Sequence, residues 1–72
     1  MTFSERFKEL RIEKQLSQMQ IVETLNISRR MIQGYEAGTS EPTLSKLILI
    51  ADLFEVSLDY LVGRTDNPEI NK

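Results

Sequence analysis

The chain has no cysteine and no histidine among its 72 residues. Those absences remove disulfides, thiolate nucleophiles, the usual zinc sites and the commonest proton shuttle, and they fit a reducing cytosol. A glycine-rich phosphate loop ahead of a helix is missing too, and the carboxylates are scattered without two that their spacing forces together. The sequence therefore offers no support for an enzyme, and neither a metal nor a cofactor is expected. Long apolar runs are lacking as well. The opening stretch, MTFSERFKEL, is charged from its first turn, so neither a signal peptide nor a membrane span is read and a cytoplasmic location is expected.

What remains is one domain's length of chain, small enough that helical packing or dimerisation would help its stability. Its formal net charge is -2, which argues against a protein that grips phosphates everywhere. The distribution is uneven. Arg6, Lys8, Arg11, Lys14, Arg29, Arg30 and Lys46 fall within residues 1–48, whereas the remainder sets Arg64 and Lys72 against Asp52, Glu55, Asp59, Asp66 and Glu69. This describes either a modestly positive side with an acidic far side, or an ordinary domain with scattered charge.

Capping residues and periodicity predict an all-α chain of five helices, near residues 3–14, 18–25, 29–36, 44–54 and 58–62. Thr2 and Glu5 make a capping box for the first helix, and Phe3, Phe7 and Leu10 form its core-facing stripe. Residues 16–38, LSQMQIVETLNISRRMIQGYEAG, read as two short helices hinged by a tight turn. Ser17 caps the first of these, Gln20 completes a capping box, and Ile21, Val22 and Leu25 supply the apolar face. Asn26 tolerates a left-handed exit, and Ser28 caps the next helix. This is the helix-turn-helix plan, in which the second helix lies in the DNA major groove.

What that second helix presents decides the functional expectation. Ile32 and Tyr35 fall on one side, Arg30, Gln33 and Gly34 on the other, and Arg29 sits at the exposed first turn. Arginine and glutamine suit bidentate contacts with guanine and adenine edges. Periodicity alone describes equally well the solvated face of an ordinary amphipathic helix. Against that, two cations at a helix start oppose the helix dipole and cost stability unless something external uses them.

Further along, Gly38 permits a left-handed helix end, and Pro42 and Thr43 open the fourth helix. Its predicted core stripe is Leu44, Leu47, Ile48, Ala51 and Phe54. Leu49 and Leu53 stand on the opposite face, so this helix is apolar nearly all round and is buried on two sides or meets a partner. Ser57 caps a last helix built on Leu58, Leu61 and Val62, with Gly63 at its end. Residues 65–72 are read as a polar tail or linker too sparse in apolar residues to pack, which leaves a domain of residues 1–64.

LSQ, the triplet Ile21, Val22 and Leu25, then Ile27-Ser28-Arg29, Ile32, Tyr35-Glu36, Gly38, Pro42, Leu44, Leu47, Ala51 and VSLDYLVGR together resemble the phage-repressor, or Cro/cI-like (XRE), helix-turn-helix domain. The resemblance covers about Phe3 to Arg64. It implies a five-helix lambda-repressor-like fold with the helix-turn-helix in helices 2 and 3. It also implies a sequence-specific transcriptional regulator, a repressor, that binds double-stranded DNA as a homodimer on a palindromic operator.

On that resemblance Arg29, Arg30 and Gln33 are expected to touch bases. Ser17, Gln18, Ser28, Thr39, Ser40 and Lys46 are expected to touch phosphates, through free amides at the start of the second helix and through hydroxyls and amides of the Thr39–Ser40 loop. Relatives pair an arginine at the Arg11 position with the glutamate that ends the recognition helix, here Glu36. Leu49, Leu53, Tyr60 and Val62 are the expected dimer interface. Two departures stand out. Glu41, where many relatives carry a base, weakens the loop's phosphate grip, and Gly34 stands where relatives place a contacting side chain, so that one contact is missing. A protein-interaction module or an antitoxin with a protein partner, built on the same fold, is the alternative. Many phage repressors continue into a self-cleaving or oligomerising domain, and the sequence reads either as a short regulator or as the DNA-binding part of a longer one.

Overall fold

The computed structural model describes residues 1–69, so residues 70–72 of the predicted tail lie outside the described residues. The chain forms five helices: α1 (Phe3–Glu13), α2 (Gln18–Leu25), α3 (Arg29–Ala37), α4 (Leu44–Phe54) and α5 (Leu58–Leu61). Among the described residues there is no strand, and no helix is long and apolar enough to cross a membrane. The fold is all-α, and the helix ends lie within a residue of their predicted places.

Each helix begins on a short hydroxyl side chain. Thr2, Ser17, Ser28, Thr43 and Ser57 each accept an amide N–H of the following turn, which satisfies a donor that has no partner inside the helix. Thr2 with Glu5 and Ser17 with Gln20 are full capping boxes. The Thr2 amide, and secondarily its hydroxyl, hold the Glu5 carboxyl below its ordinary range. Asn26 and Gly38 end α2 and α3 in the left-handed region, at φ 54° and 80°. Glu55 does the same after α4 at φ 58° without the tolerance of glycine or asparagine, and Gln15, at φ 59°, turns the chain out of α1.

The core is assembled around Phe7. Its ring meets Tyr35 of α3 and Phe54 of α4 edge-on, with centroids 5.9 and 5.7 Å away, the arrangement that an aromatic quadrupole favours. Ile21, Ile32, Ile50 and Leu61 are fully buried around these rings. Burial raises the Tyr35 phenol above its ordinary range, so the hydroxyl stays neutral.

One expectation fails here. The predicted stripe on α4 is rotated: Ile50, Ala51 and Phe54 are buried, whereas Leu44 and Ile48 stand 67% and 43% exposed. Because α4 carries apolar side chains nearly all round, periodicity alone selects no face. Phe7, Val56 and Leu61 select it through packing. Residues 66–69 meet the domain at two places. Ser57 N–H donates to the Pro68 carbonyl at 3.0 Å, and Arg6 Nη2 reaches Asp66 at 3.4 Å. Arg6 itself is only 4% exposed and lies over the Tyr60 ring, 3.7 Å from its centroid. Residues 66–69 stay exposed and touch the domain through these two polar contacts, which a hydrophobicity argument does not see.

The rotation of α4 has a measurable consequence. Ile50→Ala is expected to cost about 2–5 kcal/mol in urea unfolding, the range for truncating a buried aliphatic side chain. Leu44→Ala should stay within about 0.5 kcal/mol. Equal losses would refute the observed face.

Candidate nucleic-acid interface

Asn26 to Ser28 turns the chain from α2 into α3, and α3 then divides its side chains sharply. Ile32 is fully buried and Tyr35 nearly so, while Arg29, Arg30 and Gln33 are exposed. Arg30 and Gln33 make no side-chain hydrogen bond among the described residues. The Ser28 hydroxyl accepts the Met31 amide at 3.1 Å, which leaves its own proton for an outside acceptor.

A chain of polar contacts fixes this face to the scaffold. Arg11 of α1 forks onto Glu36 near the end of α3, with Nε donating to Oε2 at 2.6 Å and Nη2 to Oε1 at 3.2 Å. Its Nη1 also donates to the Leu16 carbonyl at 3.1 Å, just ahead of α2. Gln18 Nε2 reaches Glu36 Oε1 at 3.5 Å, and Gln18 Oε1 accepts Arg29 Nε at 3.3 Å. The Arg11 and Glu36 side chains are 17% and 10% exposed, so the pair is shielded from water without being sealed from it. Arg29 is thereby oriented through Gln18, and its two Nη groups remain free to donate.

The structure places the expected phosphate residues unevenly. Ser17 and Gln18 open α2 at the surface end of the helix, with the Ser17 hydroxyl accepting the Gln20 amide at 3.0 Å. Lys46 turns inward and donates from Nζ to the Leu25 carbonyl at 3.1 Å, capping α2, although an ammonium has two further protons. The Thr39 and Ser40 amides, expected to be available to phosphate, are taken up by the Gly34 carbonyl at 3.0 and 3.3 Å. Of that loop's hydroxyls, Thr39 Oγ1 also donates to the Gly34 carbonyl at 3.5 Å, and Ser40 is half-buried against Gly34, so each keeps only part of its hydrogen-bonding capacity for an outside group. Of the expected dimer residues, Leu49 is 45% exposed, whereas Leu53, Tyr60 and Val62 are half-buried, Tyr60 beneath Arg6. Leu58 and Ile48 are exposed beside a shallow groove of about 310 Å³ that Asp52 and Asp59 also line. Sequence reasoning missed those two apolar residues, and it missed the bond of Gln18 to Glu36, which no spacing rule announces.

Glu36→Gln removes the charge from the fork and leaves the Arg11 guanidinium shielded and underpaired. It is expected to lower stability by about 1–3 kcal/mol in urea unfolding. Asp59→Asn, at the exposed pair with Arg64, should cost no more than about 1 kcal/mol. A Glu36→Gln loss no larger than the Asp59→Asn loss would show that the fork has no scaffold role.

Comparison with known proteins agrees with this geometry. The helix-turn-helix family model matches residues 7–61. The uncharacterized HTH-type transcriptional regulator YobD of Bacillus subtilis (strain 168) is 37% identical over 67 residues, covering 93% of this chain and 60% of YobD. The cryptic phage CTXphi transcriptional repressor RstR of Vibrio cholerae is 36% identical over 64 residues, covering 89% of this chain and 57% of RstR. A transcriptional regulator from Listeria innocua, known from its crystal structure, superposes with a TM-score of 0.82 at 39% identity, over 86% of this chain and 58% of that one. The chain thus spans less than two thirds of the length of each of these relatives. Two capped helices around a left-handed asparagine, a recognition-type helix locked by an arginine–glutamate fork, and these matches lead to one assignment: the chain belongs to the Cro/cI-like (XRE-type) helix-turn-helix family.

Proposed function

We propose that this chain acts on double-stranded DNA as a transcriptional repressor, setting α3 into the major groove of a palindromic operator and pairing as a homodimer. One observation carries the reading. Arg29, Arg30 and Gln33 are offered from a helix whose opposite side, Ile32 and Tyr35, is locked in the core, so they project from a fixed backbone. Arginine forks match guanine O6 and N7, and glutamine matches adenine N6 and N7. Phosphates would be met by Ser17 and Gln18 at the start of α2, Ser28 at the start of α3, the Thr39 and Ser40 hydroxyls, and the free protons of Lys46. RstR, a similar protein, is named as a transcriptional repressor, which is in keeping with a role in repression.

Pairing follows from reach. A single recognition helix reads only a few base pairs, and two of them about 34 Å apart read successive major-groove faces. Leu49, the most exposed of the four expected dimer residues, is an apolar side chain in the C-terminal half that a second copy would cover.

An operator selected from random duplex DNA should carry at least one guanine per half-site. On it Arg30→Ala is expected to cost about 1–3 kcal/mol in binding, with little change on unrelated DNA. Equal losses on both would make Arg30 a phosphate contact, and no loss on either would leave the outer face of α3 a solvated surface. For the dimer, Leu49→Asp should shift sedimentation toward the monomer and abolish the gain from a second half-site. Unchanged association would remove Leu49 from the interface.

A further inference from the structure

Gly34 lies in the interior of α3, on the exposed side with Arg30 and Gln33, in a position where glycine weakens a helix. What it faces accounts for it. A Cβ at residue 34 would lie 2.8 Å from Ser40 Oγ and 3.0 Å from Ser40 Cβ, with Thr39 Oγ1 at 3.5 Å. The same residue's carbonyl accepts the Thr39 and Ser40 amides and, at 3.5 Å, the Thr39 hydroxyl. The loop after α3 thus folds back onto the one turn of the helix that has no side chain, and the half-buried Ser40 occupies the space a side chain would fill.

We propose that Gly34 is a positioning residue for DNA binding: it seats the Thr39–Ser40 loop against α3 and so fixes the loop's hydroxyl donors relative to Arg30 and Gln33. This rests on the DNA-binding reading above. Gly34 itself touches no DNA. Any side chain there moves Ser40 outward, by a few tenths of an ångström for alanine and further for valine. The phosphate donors then no longer fall in register with the base-reading side chains. Because the donors are neutral hydroxyls that release no counterion, losing them lowers affinity without changing its salt dependence. Base discrimination, which resides in Arg29, Arg30 and Gln33, is untouched.

The test is a double-mutant cycle on the full chain with Gly34→Ala, Ser40→Gly and their combination, and with Gly34→Val as a second probe. Each is titrated against the selected operator and an unrelated duplex at several salt concentrations, with unfolding followed in parallel. Gly34→Ala is expected to fold normally, alanine being the better helix former. It should lose about tenfold in affinity on both duplexes alike, the scale of one weakened hydrogen bond to a charged group, with an unchanged salt slope. In the Ser40→Gly background, where the obstructing Cβ and hydroxyl are gone, Gly34→Ala should cost nothing more. An equal cost in both backgrounds, a loss confined to the operator, or no loss at all would overturn the proposal while leaving the DNA-binding reading intact. Failure of the unaltered protein to bind either duplex would instead refute the DNA-binding reading, and the proposal with it.

Discussion

The fork between Arg11 and Glu36 is the contact on which the rest of the surface depends. Aromatic packing through Phe7 and Tyr35 holds α3 against α1, but ring contacts tolerate rotation about the helix axis. A bidentate guanidinium–carboxylate pair does not, because its two parallel bonds define a plane as well as a distance. Arg11 also takes the Leu16 carbonyl, so one side chain of α1 sets both the approach to α2 and the end of α3. Partly shielded charges are costly when singly bonded. Here the carboxylate collects Arg11 twice and Gln18 once, which offsets its removal from water.

The other end of the helix pair is pinned by a different device. Lys46, from the first turns of α4, donates to the Leu25 carbonyl at the end of α2, where a cation complements the helix dipole. The helix pair is therefore tied to α1 at its open end, through Leu16 and Glu36, and to α4 at its hinge. Its left-handed Asn26 has a single geometry to adopt. That arrangement turns a two-helix motif with little core of its own into a rigid presenter of Arg29, Arg30 and Gln33, and Gln18 extends the rigidity to the Arg29 side chain itself.

Local chemistry was legible in the sequence and tertiary choice was not. Ser17 with Gln20, Asn26 and Ser28 announce their structure because caps and left-handed exits depend on residues within a turn of one another. Leu44, Ile48 and Ile50 could not be sorted, since a helix with apolar residues on most sides has no preferred stripe until its neighbours arrive. Residues 65–69 looked too polar to pack, and they stay largely exposed, touching the domain through the Arg6–Asp66 pair and one backbone bond. In the binding face, the outward side chains of α3 were readable from helical period alone. The capture of the Thr39 and Ser40 amides by Gly34 was not, because it depends on how the loop returns.

Charge bears on how such a surface would discriminate. Non-specific attraction to a duplex scales with the number of cations that replace condensed counterions at the phosphates. This face has few: Arg29 and Arg30 point toward the bases in the proposed arrangement, Lys46 already holds a carbonyl, and Glu41 follows the Thr39–Ser40 loop. The acidic residues after α4 lower the general attraction further. A protein so built gains little from an arbitrary sequence, so its affinity for an operator has to come from base-edge contacts held in accurate register. Base-edge bonds weaken quickly with misalignment, and that places a premium on rigidity. In the proposed arrangement the Arg11–Glu36 fork and the Lys46 cap are thus parts of one solution: accurate placement of a few base-reading donors takes the place of many cations.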